Sequence, residues 1–219
     1  MSTRDLLRDN DIRFQRVAAT LAADDWAAPS LCGAWTNHDV LAHLVIGYGS
    51  GLGIFVAPMC RHRGSFDAAN AEISRTLAAR RTPAQLLDDL AEFTHRPTGM
   101  GRYFPRGLLL GDHVTHELDI LYALNREPTI AADALVSVLN TQVSLPNPFV
   151  PAFRNSRGLR ISATDVDWTH GDRGPEVHGR AADLVSVLGN RPRALGRLRG
   201  DGVSVLADRV LSRPTRTAG

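Results

Sequence analysis

Thr36-Asn37-His38-Asp39-Val40-Leu41-Ala42-His43-Leu44 opens with a helix start, Thr36 as cap and Asp39 three residues on, a variant of the capping box. Val40, Leu41 and Leu44 continue it as a strongly apolar helix, with a lone histidine, His43, in the stripe. The helix is expected to fray in the glycine-rich stretch Gly47 to Gly53. Upstream, Leu6, Leu7, Ile12, Val17 and Leu21 recur near helical spacing and predict a helix over 4–24. Downstream, Ser65 to Arg80 reads as a short helix. Thr82-Pro83-Ala84-Gln85 starts another, which runs to about His95. After a Gly- and Pro-rich loop from Arg96 to Pro105, two more helices are predicted over 107–125 and 131–144.

The pattern changes at Pro146, Pro148 and Pro151, which mark a boundary. Leu159, Ile161 and Ala163 alternate with Arg160, Ser162 and Thr164 as in a strand, and Glu176 to His178 reads as a second. A helix from Arg180 to Leu188 follows. Gly200-Asp201-Gly202 reads as a hairpin turn between short strands at Ala194–Arg199 and Val203–Ala207, and the tail Ser212 to Gly219 as disordered. The expected organisation is mainly α: a helical domain over 1–145 and a small α+β domain over 155–212.

The 219 residues are 43% hydrophobic and 22% charged, which suits a globular chain with a buried core and excludes a disordered or fibrous one. The 25 basic and 23 acidic residues leave a net charge of +2 with no single-sign block, so a nucleic-acid partner is not expected. Every basic residue is Arg and none is Lys, a bias explained by a genome rich in G and C, and an actinobacterial source is the expectation. The most apolar run, Leu41 to Met59, contains His43 and five glycines or prolines, and falls short of the ~20 clean residues of a membrane span. The polar N-terminus reads as no secretory signal, so a cytoplasmic protein is expected. Cys32 and Cys60 are spaced as neither a metal knuckle nor a redox pair.

Asp112 and His116 stand four apart on a predicted helix and project from one face, where they could share a metal ion. His113, three before His116, competes for the same role. Helix bundles gather metal ligands from facing helices, so His43 with Asp112 and His116 would leave coordination positions open for water and substrate. The plainer reading is a core histidine and a surface Asp–His hydrogen bond. Spacing alone does not decide between them.

Pro29-Ser30-Leu31-Cys32-Gly33-Ala34-Trp35-Thr36 followed by Asp39-Val40-Leu41-Ala42-His43-Leu44 resembles the second-helix signature of the DinB-like metalloenzymes, and more closely that of the mycothiol-dependent maleylpyruvate isomerase family. Asp112-His113-Val114-Thr115-His116-Glu117-Leu118-Asp119 is similar to the family's second signature. Pro175 to Leu184, then Gly189, Arg191 and Gly200-Asp201-Gly202-Val203, are similar to motifs of its small C-terminal domain.

The resemblance implies a DinB-like four-helix bundle that binds one divalent metal, usually zinc, through His43, Asp112 and His116. It makes Asp119 a supporting partner, and it implies mycothiol as thiol cosubstrate with a small electrophile as substrate. In such an isomerase the thiolate adds to a conjugated double bond, the carbon–carbon bond rotates and the thiol leaves; in S-transferase relatives the adduct is the product. Arg191, with Arg193 as the alternative, is the implied anion-binding catalytic arginine, although Asn190 interrupts the motif between Gly189 and Arg191. Asp112 departs from the family's usual Glu and is one methylene shorter, so a difference in the metal's position or identity is the expectation. A tailoring enzyme of the same fold without thiol chemistry and a non-catalytic small-molecule binder are the alternatives. The chain is expected to be a monomer. Cys32 reads as a small buried residue.

Overall fold

The computed structural model describes residues 1–212 except 34 and 148. The expected tail at Ser212 to Gly219 therefore falls, past its first residue, outside the described residues. In chain order the helices are α1 (Thr3–Ala18), α2 (Ala23–Ala27), α3 (Asn37–Gly49), α4 (Gly53–Arg61), α5 (Phe66–Ala78), α6 (Pro83–His95), α7 (Arg106–Ala123), α8 (Ala132–Ser144) and α9 (Ala152–Ser156). Strands β1 (Arg160–Ala163), β2 (Thr169–His170) and β3 (Glu176–Gly179) follow, then α10 (Ala181–Leu188) and α11 (Val203–Leu211). Turns of 3-10 helix occupy Gly99–Arg102 and Pro192–Arg197.

Capping chemistry sets where the long helices begin. The side chains of Ser2, Thr36 and Thr82 accept the backbone N–H of Asp5, Asp39 and Gln85, and those three residues bond back to close full capping boxes. α1, α6, α3 and α7 form a closed ring of packed helices, each against the next, with α5 outside α3 and α8 outside α7. Between them Leu41, Leu44, Leu86, Leu90, Leu110 and Leu118 are fully buried. Each contributes roughly 1.5–3 kcal/mol relative to an exposed side chain. The mainly α, four-helix-bundle fold read from the sequence is the one observed.

The C-terminal segment forms a three-stranded sheet of order β2-β1-β3, with β1 antiparallel to β2 and parallel to β3. α10 crosses behind it onto α7 and α8. Tyr122 donates to Asp183 of α10 at 2.7 Å, and Trp168 Nε1, just before β2, to Asn140 at 2.8 Å, so the C-terminal segment is tied to the bundle by polar contacts.

Three local expectations are corrected, and one strand was not foreseen. The helix over 4–24 stops at Ala18 because a new cap forms at Ala22, whose N–H bonds Asp25, and opens α2. The glycine-rich stretch after α3 does not simply fray: α4 forms within it, Pro58 included. The Thr169–His170 strand, with only two residues, has no alternation to be seen. Around Gly200-Asp201-Gly202 the flanks are helical, not a hairpin. The segment before the turn is a 3-10 helix opened by Pro192, and the one after it is α11, with apolar Val203, Leu206 and Val210 spaced three and four apart, a helical period. Gly200 is required there: its φ is +112°, and a Cβ would sit 2.1 Å from the Glu176 carbonyl oxygen.

Candidate metal centre

α3 and α7 pack as neighbours in the bundle and bring His43, Asp112 and His116 together. His43 Nε2 lies 3.6 Å from Asp112 Oδ2, and His116 Nε2 lies 3.5 Å from Asp112 Oδ1. The two imidazole rings meet edge to face at 4.7 Å. The side chains of His43 and His116 are 15% and 11% exposed, whereas Asp112 at 38% faces the opening.

The outer nitrogen of each imidazole is occupied elsewhere. His43 Nδ1 faces the Asn70 carboxamide from α5, at 3.1 and 3.3 Å. His116 Nδ1 lies 3.0 Å from Asp119 Oδ2, one turn further along α7. A proton on Nδ1 in this bond leaves the Nε2 lone pair for a metal. Asp119 in turn accepts a two-pronged bond from Arg191, Nε and Nη2 both at 2.9 Å. Burial alone would raise the Asp119 carboxyl, but Arg191 holds it at about 2, so it is a carboxylate at neutral pH. Burial would likewise raise Asp112, and the neighbouring His116 and His43 keep it below the usual carboxylate range.

The donor set fits a divalent ion. Two imidazole nitrogens and a carboxylate oxygen suit zinc and several of its neighbours, and ligands ~2.0–2.2 Å from a tetrahedral ion stand roughly 3.3–3.6 Å apart, as the Asp112 oxygens do from both Nε2 atoms. A second donor group, Cys32 with His116 and Asp119, lies behind the first. Burial, reinforced by Asp119, pushes the Cys32 thiol up to about 12, so at neutral pH it is a weak donor and a poor nucleophile.

His113, which competed with His116 on spacing, turns the other way. Its Nδ1 lies 2.8 Å from Asp11 of α1, and the Tyr48 hydroxyl closes on the other Asp11 oxygen in a short hydrogen bond. One turn on, buried Glu117 pairs with Arg13, also of α1. Arg191 does not face the opening. It lies behind His116, and its third nitrogen, Nη1, donates to the Gly189 carbonyl at 2.6 Å. Arg193 bonds Asn125 at the surface.

Two members of the site were missed in the sequence. Trp35, named above only as part of the Pro29 to Thr36 motif, has its ring 5.2 Å from His43 and stacked 6.2 Å from His116, and so forms a wall of the centre. Asn70, on a helix with no motif, gave no signal. Tyr103, in the loop before α7, lies away from the centre and lines a different cavity.

The comparisons with known proteins agree with this architecture. Residues 7–100 match the family described as the mycothiol maleylpyruvate isomerase N-terminal domain. That stretch carries Trp35, His43 and Asn70; Asp112, His116, Asp119 and Arg191 lie beyond it. The family resemblance read from the motifs is thus borne out. A crystal structure of the mycothiol-dependent maleylpyruvate isomerase is similar over 91% of both chains, with 13% identity and a TM-score of 0.56. The structure of a histidine-to-alanine mutant of that enzyme is similar over the same share, with 13% identity and a TM-score of 0.53. Likeness at this identity carries the fold. No curated protein matches the sequence. Among the described residues no helix is long and apolar enough to cross a membrane.

Proposed function

We propose that the chain is a metal- and mycothiol-dependent enzyme, an isomerase or S-transferase acting on a small electrophile, with His43, Asp112 and His116 as metal ligands. The observation that carries this reading is the convergence of two Nε2 atoms on one carboxylate, each with its Nδ1 held from behind. The family match and the fold of the isomerase add mycothiol. A divalent ion held there supplies a Lewis acid that lowers a thiol's pKa from its free value of ~8.5.

The chain's own residues do the rest. Asn70 and Asp119 orient the two imidazoles, and Arg191 keeps Asp119 ionised so that His116 stays fixed in tautomer and direction. Trp35 closes one wall against water. Asp112 stands at the mouth, where a thiol and an electrophile arrive together. Cys32, held protonated, does not compete with the incoming thiolate. For an isomerase, the sulfur–carbon bond forms as the double-bond electrons move to a conjugated carbonyl; rotation follows, and their return expels the thiolate. Arg191 serves here as a positioning residue for His116, not as a contact to substrate. The division at 145–155 assigns ligands to the bundle and this support to the C-terminal part.

Elemental analysis of protein purified without a chelating column tests the ligand set. About one equivalent of a divalent metal, lost in His43→Ala, is expected; metal unchanged in that variant overturns it. Thiol-dependent turnover of the metal-loaded protein then separates this function from a bundle without thiol chemistry.

A further inference from the structure

The other end of the bundle, where the start of α1, the end of α6 and the first turn of α7 meet, encloses a cavity of about 530 Å³. Its lining shares no residue with the metal centre. Arg4, Arg8, Arg102, Arg106 and His95 surround it, and among the described residues that line it none is acidic. The floor is apolar: Leu7 is buried, and the ring of Tyr48 lies there with its hydroxyl turned away to Asp11.

The arginines differ in how they are held. Arg106 donates to the carbonyls of Gly101 and Arg102, at 2.7 and 3.4 Å, which fixes its guanidinium without neutralising it. Arg8 is shared with Asp5 and Asp9 on the outer side of α1. Arg4 and Arg102 have no carboxylate within ion-pair distance among the described residues, and Arg102 rests over the Tyr103 ring at 5.8 Å. Arg4, Arg8, Arg102 and His95 are exposed at its rim and Arg106 is half-buried; like charges gathered around one concavity repel one another and focus the field on it. Guanidinium forks match carboxylate and phosphate oxygens two at a time.

We propose that this cavity binds a small dianion, two carboxylates or a phosphoryl group on a compact body, at a site separate from the metal centre. The apolar floor accommodates the body, and Arg4, Arg102 and Arg106 take the charges. Dicarboxylates and phosphates share this chemistry, and two probes distinguish them: phthalate carries two carboxylates on a flat apolar ring, and inorganic pyrophosphate carries none.

The test is calorimetric titration of the full chain with each probe at low salt, in the wild type and in metal-free His43→Ala. Saturable binding of at least one probe with 1:1 stoichiometry is expected in both proteins, because the site does not use the metal. The double variant Arg4→Ala/Arg102→Ala should weaken it at least tenfold. Arg173→Ala, a fully exposed arginine outside the cavity, should change it less than twofold. Thermal unfolding of the double variant checks that it is folded, and Arg102→Gln is the milder substitute if it is not. Three results would overturn the proposal: no saturable binding of either probe, binding lost with the metal, or equal weakening by Arg173→Ala.

Discussion

Two histidines three residues apart on α7 have opposite surroundings. His116 faces α3, with Nε2 toward the opening and Nδ1 held by Asp119. His113 faces α1, is 2% exposed, and is locked to Asp11, which Tyr48 holds from its other side. Burial would lower the His113 pKa, but Asp11 raises it, so this imidazole is set up as half of a buried ion pair. His116 is supported from outside and open at the centre; His113 is spent on a neighbour. The residue type is the same, and the facing helix decides what it does.

The sharpest way to break that contrast is to remove the structural member. His113→Ala leaves Asp11 buried with only Tyr48 as partner, and losing one side of a buried pair costs about 3–5 kcal/mol. A large fall in unfolding free energy in urea is expected, with metal content retained. A loss of metal without a loss of stability would mean that the two faces have been assigned the wrong way round.

How far this contrast was legible from sequence follows from the physics of each signal. The capping boxes at Thr36 and Thr82 act locally, so the helix starts stood out. The i, i+4 spacing of Asp112 and His116 placed both on one face, but only the motif resemblance joined them to His43. Nothing in spacing told His113 from His116, because the choice depends on Asp11, more than a hundred residues away. Asn70 was invisible for the same reason. α4 was hidden because its Gly and Pro content resembles a loop, and α11 because a Gly-Asp-Gly turn suits a hairpin as well as a helix start. Arg191 was found by motif, yet its bond to Asp119 exists only once α10 has docked on α7.

The support behind His116 gives a smaller effect. Asp119→Asn keeps the shape but gives up the charge that orients the imidazole and answers Arg191. Metal affinity should fall about 10–100-fold, measured by competition with a chelator, as for other partners of metal-binding histidines. An unchanged affinity would reduce Asp119 and Arg191 to a plain structural ion pair.

The smallest effect concerns the thiols. Cys32 ionises only near pH 12, because burial disfavours the thiolate, so its reactivity should stay low through neutral pH and rise only far above it. Cys60 is exposed. Iodoacetamide at pH 8 should label Cys60 in the native protein and spare Cys32, as mass spectrometry of the digested product would show. Rapid labelling of Cys32 would open it as a nucleophile beside His116.

The most direct test of the central claim is metal stoichiometry in His116→Ala beside His113→Ala, each purified without a chelating column and checked for folding. The account predicts that the first loses the metal and the second keeps about one equivalent. Metal retained in His116→Ala and lost in folded His113→Ala would contradict it.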